Sequence, residues 1–213
     1  MCASYGLDPR IGDYRGLAAA NDVEMIENLR AWAEKNAGET LRPTGKNLRN
    51  LNPIVTGSES GRSLELAWWG FLIGGAPSKF PSINTRSERL QDKPGNAKGR
   101  ALVPATSWFE MQKPSRDWYA FDTGGVFAMA GVTQTGRIGD EDPVTCYSIV
   151  MQPARQDLAG IHDRMPLLVP EAFYDEWLDP TATPTRELID AVLEAGREFS
   201  EQVRAAQIAG NPA

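Results

Sequence analysis

The second residue of the chain combines two nucleophiles. The sequence opens Met1-Cys2-Ala3, and removal of Met1 would leave Cys2 with a free α-amine beside its thiol. An α-amine has a pKa near ~7.8, far below the ~10.4 of a lysine, so much more of it is unprotonated at neutral pH. The amine can condense with an aldehyde, and the thiol can then close a thiazolidine ring on the imine carbon. Taken alone, the stretch is more typical of a flexible terminus.

Two further side chains are suited to proton exchange. His162 is the only histidine and lies in the segment Ile161-His162-Asp163-Arg164-Met165-Pro166. Histidine exchanges protons near neutrality without special help, although a lone histidine is usually a surface or core residue. Glu110 ends an apolar run after Trp108 and Phe109. Aromatic surroundings can raise the pKa of a carboxyl and make it a general acid or base, but such a glutamate more often points outward.

Other candidates are polar or aromatic. Asn84 and Arg86 lie in the segment Ile83-Asn84-Thr85-Arg86-Ser87-Glu88, where the asparagine either orients a substrate carbonyl or only shapes a turn. Trp68 and Trp69 could stack on nucleic-acid bases. Since adjacent residues of a strand face opposite ways, at least one of the two is expected in the core.

Charge is unevenly distributed along the chain. The net charge is −6, yet residues 39–100 hold ten basic and five acidic residues and carry +5, which leaves −11 for the remainder. This asymmetry predicts a basic face on an acidic body, able to meet a phosphate backbone. Scattered, solvated charges explain the counts equally well.

The bulk composition predicts one domain spanning residues 1–213. With 41% hydrophobic and 23% charged residues, it is ordinary for a globular protein of the cytoplasm. We expect no membrane span, no signal peptide and no disulfide between Cys2 and Cys146. One histidine and no cysteine pair argue against a zinc site, and neither a metal nor a cofactor is expected.

Periodicity predicts an α+β domain dominated by antiparallel strands with flanking helices. Helices are predicted over 21–36, 155–159, 171–178 and 185–205, with a loop over 41–57. Strands are predicted over 64–73, 100–111, 144–151 and 167–169, and a hairpin joins 117–121 to 126–133.

The order of these motifs resembles a known family. An N-terminal Met-Cys is followed by Trp69-Gly70, by Asn84-Thr85-Arg86-Ser87-Glu88, by a Leu-Val-Pro strand ending at Glu110, and by His162-Asp163-Arg164-Met165-Pro166. This succession is similar to the SOS response-associated peptidase (SRAP) family of abasic-site processing proteins, across residues 2–178. The resemblance implies a compact α+β fold with barrel-like antiparallel sheets. It also implies a monomeric sensor that cross-links itself to abasic sites in single-stranded DNA and is nucleoid-associated when cross-linked.

Carried over by motif, the resemblance gives a role to each candidate. It implies Cys2 as the nucleophile, Asn84 as the group that positions amine or sugar, Glu110 as the acid/base and His162 as the promoter of sugar ring opening. It implies phosphate contacts for Arg86 and Arg164, and it leaves Trp68 and Trp69 as candidate DNA contacts. The chain departs from the family pattern at Ser4, where an arginine is usual.

Two other functions fit the same residues. The first is a thiol peptidase or amidohydrolase with Cys2 as nucleophile and His162 as base, which would acylate on peptides instead of condensing with aldehydes. The second is a module that binds single-stranded DNA without covalent chemistry, through the basic span 39–100. The family resemblance also implies peptidase-like removal of Met1 and leaves a lyase side activity open.

Overall fold

We analysed a computed structural model of the chain, which describes residues 2, 4–11, 13–18, 22–36, 51–59, 61–74, 76–137, 139–210 and 212, with the backbone alone for 77–81. The described helices are α1 (Val23–Lys35), α2 (Ser87–Asp92), α3 (Tyr174–Leu178) and α4 (Arg186–Ser200). The first seven strands are β1 (Tyr5–Gly6), β2 (Leu51–Ser58), β3 (Gly61–Trp69), β4 (Phe71–Ile73), β5 (Ala76–Ser82), β6 (Asn84–Arg86) and β7 (Gly99–Ala105). The remaining strands are β8 (Ser107–Met111), β9 (Trp118–Asp122), β10 (Phe127–Gly136), β11 (Val144–Pro153), β12 (Arg164–Pro166), β13 (Leu168–Val169) and β14 (Arg204–Ile208).

Five of the strands close into a barrel. Strand β11 pairs with β10 on one side and with β3 on the other, and the ring continues from β3 through β2 and β7 back to β10. Most of these pairings are antiparallel, and β3–β11 is parallel. Strands β6, β12 and β13 extend the barrel at its flanks.

A second sheet covers one mouth of this barrel. It contains four antiparallel strands in the order β1-β8-β9-β14. Tyr5 of β1 and Trp108 of β8 belong to one buried cluster with barrel residues such as Trp69, Val103 and Ile149. Side chains inside a closed barrel can meet another sheet only at an end of the barrel, so this inner core runs from the barrel interior into the four-stranded sheet.

The helices pack on the outside of the barrel. Alternation along the strands sends every second side chain outward, where Val55, Leu102 and Val150 form an outer core with Leu29 of α1 and Val192 of α4. Asp22 caps α1 by accepting from the amide of Met25, and Thr185 caps α4 by accepting from that of Leu188. The observed layers confirm the predicted α+β class. Among the described helices, none is long and apolar enough to cross a membrane.

The structure confirms several predicted elements, in whole or in part. Helix α1 begins after Asp22 as expected, although its predicted stop at Gly38 lies outside the described residues. Strand β11 spans the predicted 144–151. The predicted strand 64–73 is real but breaks at Gly70, whose φ of +101° turns the chain between β3 and β4. The predicted strand 100–111 likewise breaks at Thr106, where the chain passes from the barrel into the four-stranded sheet.

Other local predictions were wrong. Residues 51–57 of the predicted loop form β2, and the earlier part of that loop lies outside the described residues. The expected hairpin does not exist, because β9 pairs with β8 and β14 while β10 joins the barrel. Turns replace the expected helix over 155–159, where the Arg155 side chain binds Asp157 and the carbonyl of Val203. The last predicted helix ends at Ser200, and residues 204–208 instead pair with β9.

Candidate functional site

Cys2 is buried at the edge of the four-stranded sheet. It has 0% of its surface exposed, its carbonyl oxygen accepts a hydrogen bond of 2.8 Å from the side-chain amide of Asn84, and its thiol donates to the carbonyl of Ser4 at 3.6 Å. Burial, with the nearby Glu110 carboxyl, raises the pKa of the Cys2 thiol well above its ordinary value. The thiol is therefore protonated in this state, and its chain segment is fixed, unlike a flexible terminus.

Asn84 reaches Cys2 from the barrel. Its strand, β6, lies parallel to β11 with Asn84 opposite Ile149, and the preceding carbonyl of Ile83 accepts hydrogen bonds from the amide of Ile149 at 2.9 Å and from the indole of Trp69 at 3.1 Å. The Asn84 amide donates to Cys2, whereas its buried Oδ1 has no hydrogen-bond partner among the described residues. An unpaired buried acceptor is costly, so Asn84 is suited to receive a donor from a bound molecule.

Glu110 points into the protein and not outward. Only 5% of its surface is exposed, because alternation along β8 places it on the same side as the buried Trp108. Burial raises the pKa of Glu110 to about 7, and the positive charge of the amino terminus partly offsets that effect. A carboxyl with this pKa populates both protonation states near neutrality, which general acid–base catalysis requires.

His162 stands in the turn that precedes β12. Its Nδ1 lies 3.0 Å from the amide nitrogen of Arg164 and 3.2 Å from the carbonyl oxygen of the same residue. Nδ1 therefore accepts from the amide in one tautomer and donates to the carbonyl in the other. Burial, together with the amino-terminal charge, lowers the pKa of His162. Asp163 lies 3.2 Å from the same Nδ1 and favours the charged form, but its side chain is 84% exposed and its influence is screened. The neutral form therefore predominates near pH 7.

Two loops hold His162 close to Glu110. The side chain of Gln112, which follows β8, donates a 2.8 Å hydrogen bond to the carbonyl of Gly160 in the turn before His162. Asp163, which follows His162, raises the pKa of Glu110, so the His162 turn lies near that carboxyl. The structure thus brings together Cys2, Asn84 and Glu110, with His162 beside them.

The predicted DNA contacts are distributed differently. Trp69 is 1% exposed and stacks inside the barrel on Tyr147, so it has no ring face to offer a base and belongs to the core. Trp68 is half-buried on the opposite face of β3, away from the Cys2 side. Arg86 is exposed, with no partner among the described residues. Arg164 instead forms a 2.6 Å ion pair with Glu88.

The basic span 39–100 is only partly available for binding. Arg42, Lys46 and Arg49 lie outside the described residues. Arg100 is buried and donates to backbone carbonyls that include those of Ala97 and Asp179, and Arg62 pairs with Asp175. Four exposed cations remain in the described part of the span: Arg86, Arg89, Lys93 and Lys98.

The size of the cavities does not identify the site around Cys2. A cavity of about 350 Å³ opens at the other mouth of the barrel, lined by Thr133, Thr145 and Glu65 among others. Its lining includes two cations of the basic span, Lys98 and Arg100, and none of the other predicted site residues. A cavity of about 270 Å³ touches Asn84 and is bordered by Arg89 and Asn96. In the described part of the chain, no cluster of three potential metal-ligating side chains is present.

Sequence reasoning missed three polar residues beneath Cys2. Tyr5, Tyr147 and Asn52 are fully buried, and the two tyrosine hydroxyls lie 2.8 Å apart. The side-chain amide of Asn52 donates to Tyr147 at 3.1 Å. Asn52 lies in the predicted loop over 41–57, and its place on β2 beside Pro53, Ile54 and Val55 is the signal that could have found it.

The barrel and its covering sheet define an α+β protein in which a buried thiol, a buried carboxyl and an amide lie near the amino terminus. The family model described as SOS response associated peptidase (SRAP) matches residues 15–209. The chain therefore belongs to the SRAP family, which confirms the resemblance. The matched region includes Asn84, Glu110 and His162 and begins after Cys2.

Individual relatives agree with this assignment. The chain is 26% identical over 149 residues to the abasic site processing protein YoqW of Bacillus subtilis, covering 63% of this chain and 65% of that protein. It is 29% identical over 191 residues to the abasic site processing protein YedK of Escherichia coli, covering 84% and 79%. A crystal structure from Bacteroides thetaiotaomicron has a TM-score of 0.71 at 18% identity, covering 99% of this chain and 96% of that one.

Proposed function

We propose that this protein processes abasic sites in single-stranded DNA by forming a covalent link through Cys2 after loss of Met1. The observation that supports this function best is the buried Cys2, held by Asn84 beside a carboxyl whose pKa is raised to about 7. The relatives named as abasic site processing proteins support the same substrate. The link would shield the lesion in cytoplasmic, nucleoid-associated DNA.

The first step would be opening of the sugar. An abasic deoxyribose is mostly a closed hemiacetal, and its aldehyde forms when the hydroxyl at C1 loses a proton and the ring oxygen gains one. Neutral His162 is suited to accept the proton of the C1 hydroxyl. Glu110, with a pKa of about 7, can donate a proton to the ring oxygen in its protonated form.

Covalent capture would follow in two stages. The α-amine of Cys2 attacks the aldehyde carbon; its nitrogen gives one proton to the Glu110 carboxylate, and protonated His162 gives a proton to the aldehyde oxygen. The carbinolamine then loses one water as Glu110 passes its proton to the leaving hydroxyl, and the nitrogen releases its remaining proton to Glu110. The Cys2 sulfur then bonds to the imine carbon while the C=N π bond breaks, and the thiol proton ends on nitrogen. The product is a thiazolidine, and one water is released overall.

The raised pKa of the Cys2 thiol separates this chemistry from that of a thiol peptidase. A cysteine nucleophile that acylates on peptides is normally a thiolate paired with a histidine. Here the thiol is protonated and donates to the Ser4 carbonyl, with no hydrogen bond to His162. An imine formed first by the amine does not require a resting thiolate, so the site favours aldehyde capture over peptide hydrolysis.

DNA contacts are proposed for the exposed cations near the site. Arg86 follows Asn84 by two residues, and Arg89 borders the cavity that touches Asn84, so both lie where phosphates next to the abasic nucleotide would pass. Arg164 would also contact a phosphate and would keep its ion pair with Glu88. Since Trp69 is buried, Trp68 is the remaining candidate for base stacking. Its ring lies on the face of β3 opposite to Cys2.

A denaturing gel tests the proposal. Purified protein is mixed with a single-stranded oligonucleotide that contains either one abasic site or an intact base. We expect a shifted band with abasic DNA alone, and intact mass should show loss of Met1. A covalent band with both oligonucleotides would contradict aldehyde capture, and no covalent band with either would leave non-covalent binding or peptidase activity.

Variants of Cys2 separate the amine from the thiol. Cys2→Ala and Cys2→Ser keep the amine, so borohydride should trap an imine with both, whereas neither should give a heat-stable adduct. More strand nicking is expected with both variants. An imine makes the α-proton of the sugar acidic, and the imine persists when no thiazolidine ring can form. His162→Ala should slow capture without abolishing it, since sugars also open in solution. A heat-stable adduct with Cys2→Ala would show that the thiol is a bystander.

A further inference from the structure

The segment that carries Cys2 has few backbone anchors. Strand β1 contains only Tyr5 and Gly6 and pairs with β8 at the edge of its sheet. Neighbouring backbone bonds run from Phe109 to Ser4 at 3.0 Å and from Thr106 to Gly6 at 2.8 Å. Chain ends this short usually fray unless they are tied down. All these bonds attach the terminus to its own sheet or the adjoining corner, whereas Asn84 belongs to the barrel.

A buried side-chain connection crosses from β1 to the barrel. The hydroxyl of Tyr5 lies 2.8 Å from that of Tyr147 on β11. Asn52 on β2 donates to the same Tyr147 hydroxyl at 3.1 Å. The three residues are 0% exposed, and the Tyr5 ring also meets Trp69 edge-on at 4.9 Å. Since buried polar groups are costly unless paired, this chain fixes the position of Tyr5 relative to both β11 and β2.

The connection lies directly under the proposed reaction site. Tyr5 follows Cys2 by three residues, and Cys2 lies near enough to Tyr5 and Tyr147 to contribute to the raised pKa of both. Strand β11 also positions Asn84, because Ile149, two residues beyond Tyr147, pairs with it. The same strand thus holds Cys2 from two directions, through the Asn84 amide and through the Tyr147 hydroxyl.

We propose that Tyr147, supported by Asn52, is a positioning residue that acts through Tyr5 to hold Cys2 against Asn84 and Glu110. The proposal rests on the function proposed above, and it assigns no proton transfer to the tyrosines. Their hydroxyls fix the terminus so that the amine and thiol meet the aldehyde carbon in one geometry. Loss of the hydroxyl bond would free the terminus without removing any group that reacts.

Three variants test this role. Tyr147→Phe removes one hydroxyl and leaves that of Tyr5 without a partner. The double variant Tyr5→Phe/Tyr147→Phe removes both hydroxyls and keeps the edge-on packing of residue 5 on Trp69. Tyr174→Phe is the control, because this tyrosine is 5% exposed but belongs to the outer core under the helices.

Each variant is examined by four measurements. These are the capture rate at saturating abasic oligonucleotide, the affinity for the intact oligonucleotide, the melting temperature, and the rate at which iodoacetamide alkylates Cys2. Mass spectrometry of the N-terminal peptide follows the alkylation, and Cys146, also buried, reports general loosening of the fold.

We expect Tyr147→Phe to raise the alkylation rate of Cys2 and to lower the capture rate. In Tyr147→Phe, alkylation of Cys2 should rise roughly tenfold, whereas capture should slow roughly 10- to 100-fold because misplaced groups react poorly. Affinity for intact DNA should stay unchanged, and the melting temperature should fall by roughly 3–8 °C. The double variant should recover part of that fall while capture remains slow. Tyr174→Phe should leave both rates at the wild-type values.

Contrary results are equally clear. Wild-type alkylation and capture in the double variant would overturn the positioning role, as would a parallel rise in alkylation of Cys2 and Cys146. If wild type never captures abasic DNA but Cys2 still loses its protection in Tyr147→Phe, the proposed function fails and the positioning role stands.

Discussion

Glu110 lies on β8 within the four-stranded sheet with 5% of its surface exposed, whereas Glu88 lies in the first turn of α2 with 45% of its side chain exposed. Burial raises the pKa of Glu110 to about 7. Burial pushes the pKa of Glu88 in the same direction, but hydrogen bonds from its own amide and from Arg164 outweigh it and keep that pKa below the ordinary value. One carboxyl is thereby able to exchange protons near neutrality, and the other stays ionised to hold an arginine.

The difference shows how burial and neighbouring hydrogen-bond donors compete to set the pKa of a carboxyl. Both residues follow motifs that the sequence marks clearly, Trp108-Phe109 for Glu110 and Asn84 to Ser87 for Glu88. The 2.6 Å ion pair with Arg164 makes Glu88 part of the scaffold that orients the His162 loop. For Glu110, burial outweighs the positive charge of the amino terminus, so its pKa stays raised to about 7.

The largest expected effect comes from removing the proton-exchanging carboxyl. Glu110→Gln keeps the shape of the side chain and abolishes its titration, so capture of abasic DNA should slow roughly 10²- to 10⁴-fold. Single-turnover rates on a denaturing gel measure the change. Glu88→Gln is the matched control and should retain a rate close to wild type, so equal losses in the two variants would break the distinction.

Stability against pH tests the same carboxyl without DNA. A carboxyl whose pKa is raised on folding contributes most below its unfolded pKa near ~4.5, and the contribution is lost as pH rises through the folded value of about 7. Wild type should therefore lose up to about 3 kcal/mol relative to Glu110→Gln between these pH values. Urea unfolding of both proteins from pH 4.5 to 8.5 measures it, and a constant difference would show that the pKa of Glu110 is not raised.

The scaffold carboxyl should matter less. Glu88→Gln removes the ion pair with Arg164, but Glu88 is too exposed for the pair to stabilise the fold by more than about 1 kcal/mol. Urea unfolding at pH 7 measures the loss. Asp190→Asn, which breaks the exposed pair with Arg186 on α4, should cost a similar amount, and a much larger loss for Glu88→Gln would make Glu88 more than a surface partner.

The smallest effect concerns the exposed cation beside Glu88. Arg86→Ala should weaken DNA capture and reduce the log–log salt slope of binding by about 0.7, the value for one phosphate contact on a single strand. Fluorescence anisotropy with an intact oligonucleotide at several salt concentrations measures the slope. Arg197→Ala, on the outer helix α4, serves as the control, and identical slopes for the two variants would place Arg86 among merely solvated charges.

Motifs indicated the family more directly than periodicity indicated the pairing of the strands. The order of Cys2, Asn84, Glu110 and His162 in the chain was enough to indicate the family. The sequence did not settle whether Glu110 is buried, because burial on a five-residue strand depends on which face of the sheet other elements cover. The failed hairpin has the same cause, since pairing of β9 with β14 joins segments more than 80 residues apart. Local spacing carries no information about that contact.

The closed barrel has two weak seams. Strand β3 meets β11 through two paired residues and β2 meets β7 through two, whereas β2 and β3 share eight pairs. The β2–β3 hairpin is therefore more firmly joined to itself than to its neighbours, and it will open as one cooperative unit before the rest of the barrel unfolds. In native-state hydrogen exchange, amides at the β3–β11 and β2–β7 seams will exchange faster than those between β10 and β11. Asn52 and Trp69 lie on this hairpin, so its opening also sets how often the buried residues beneath Cys2 are exposed to water.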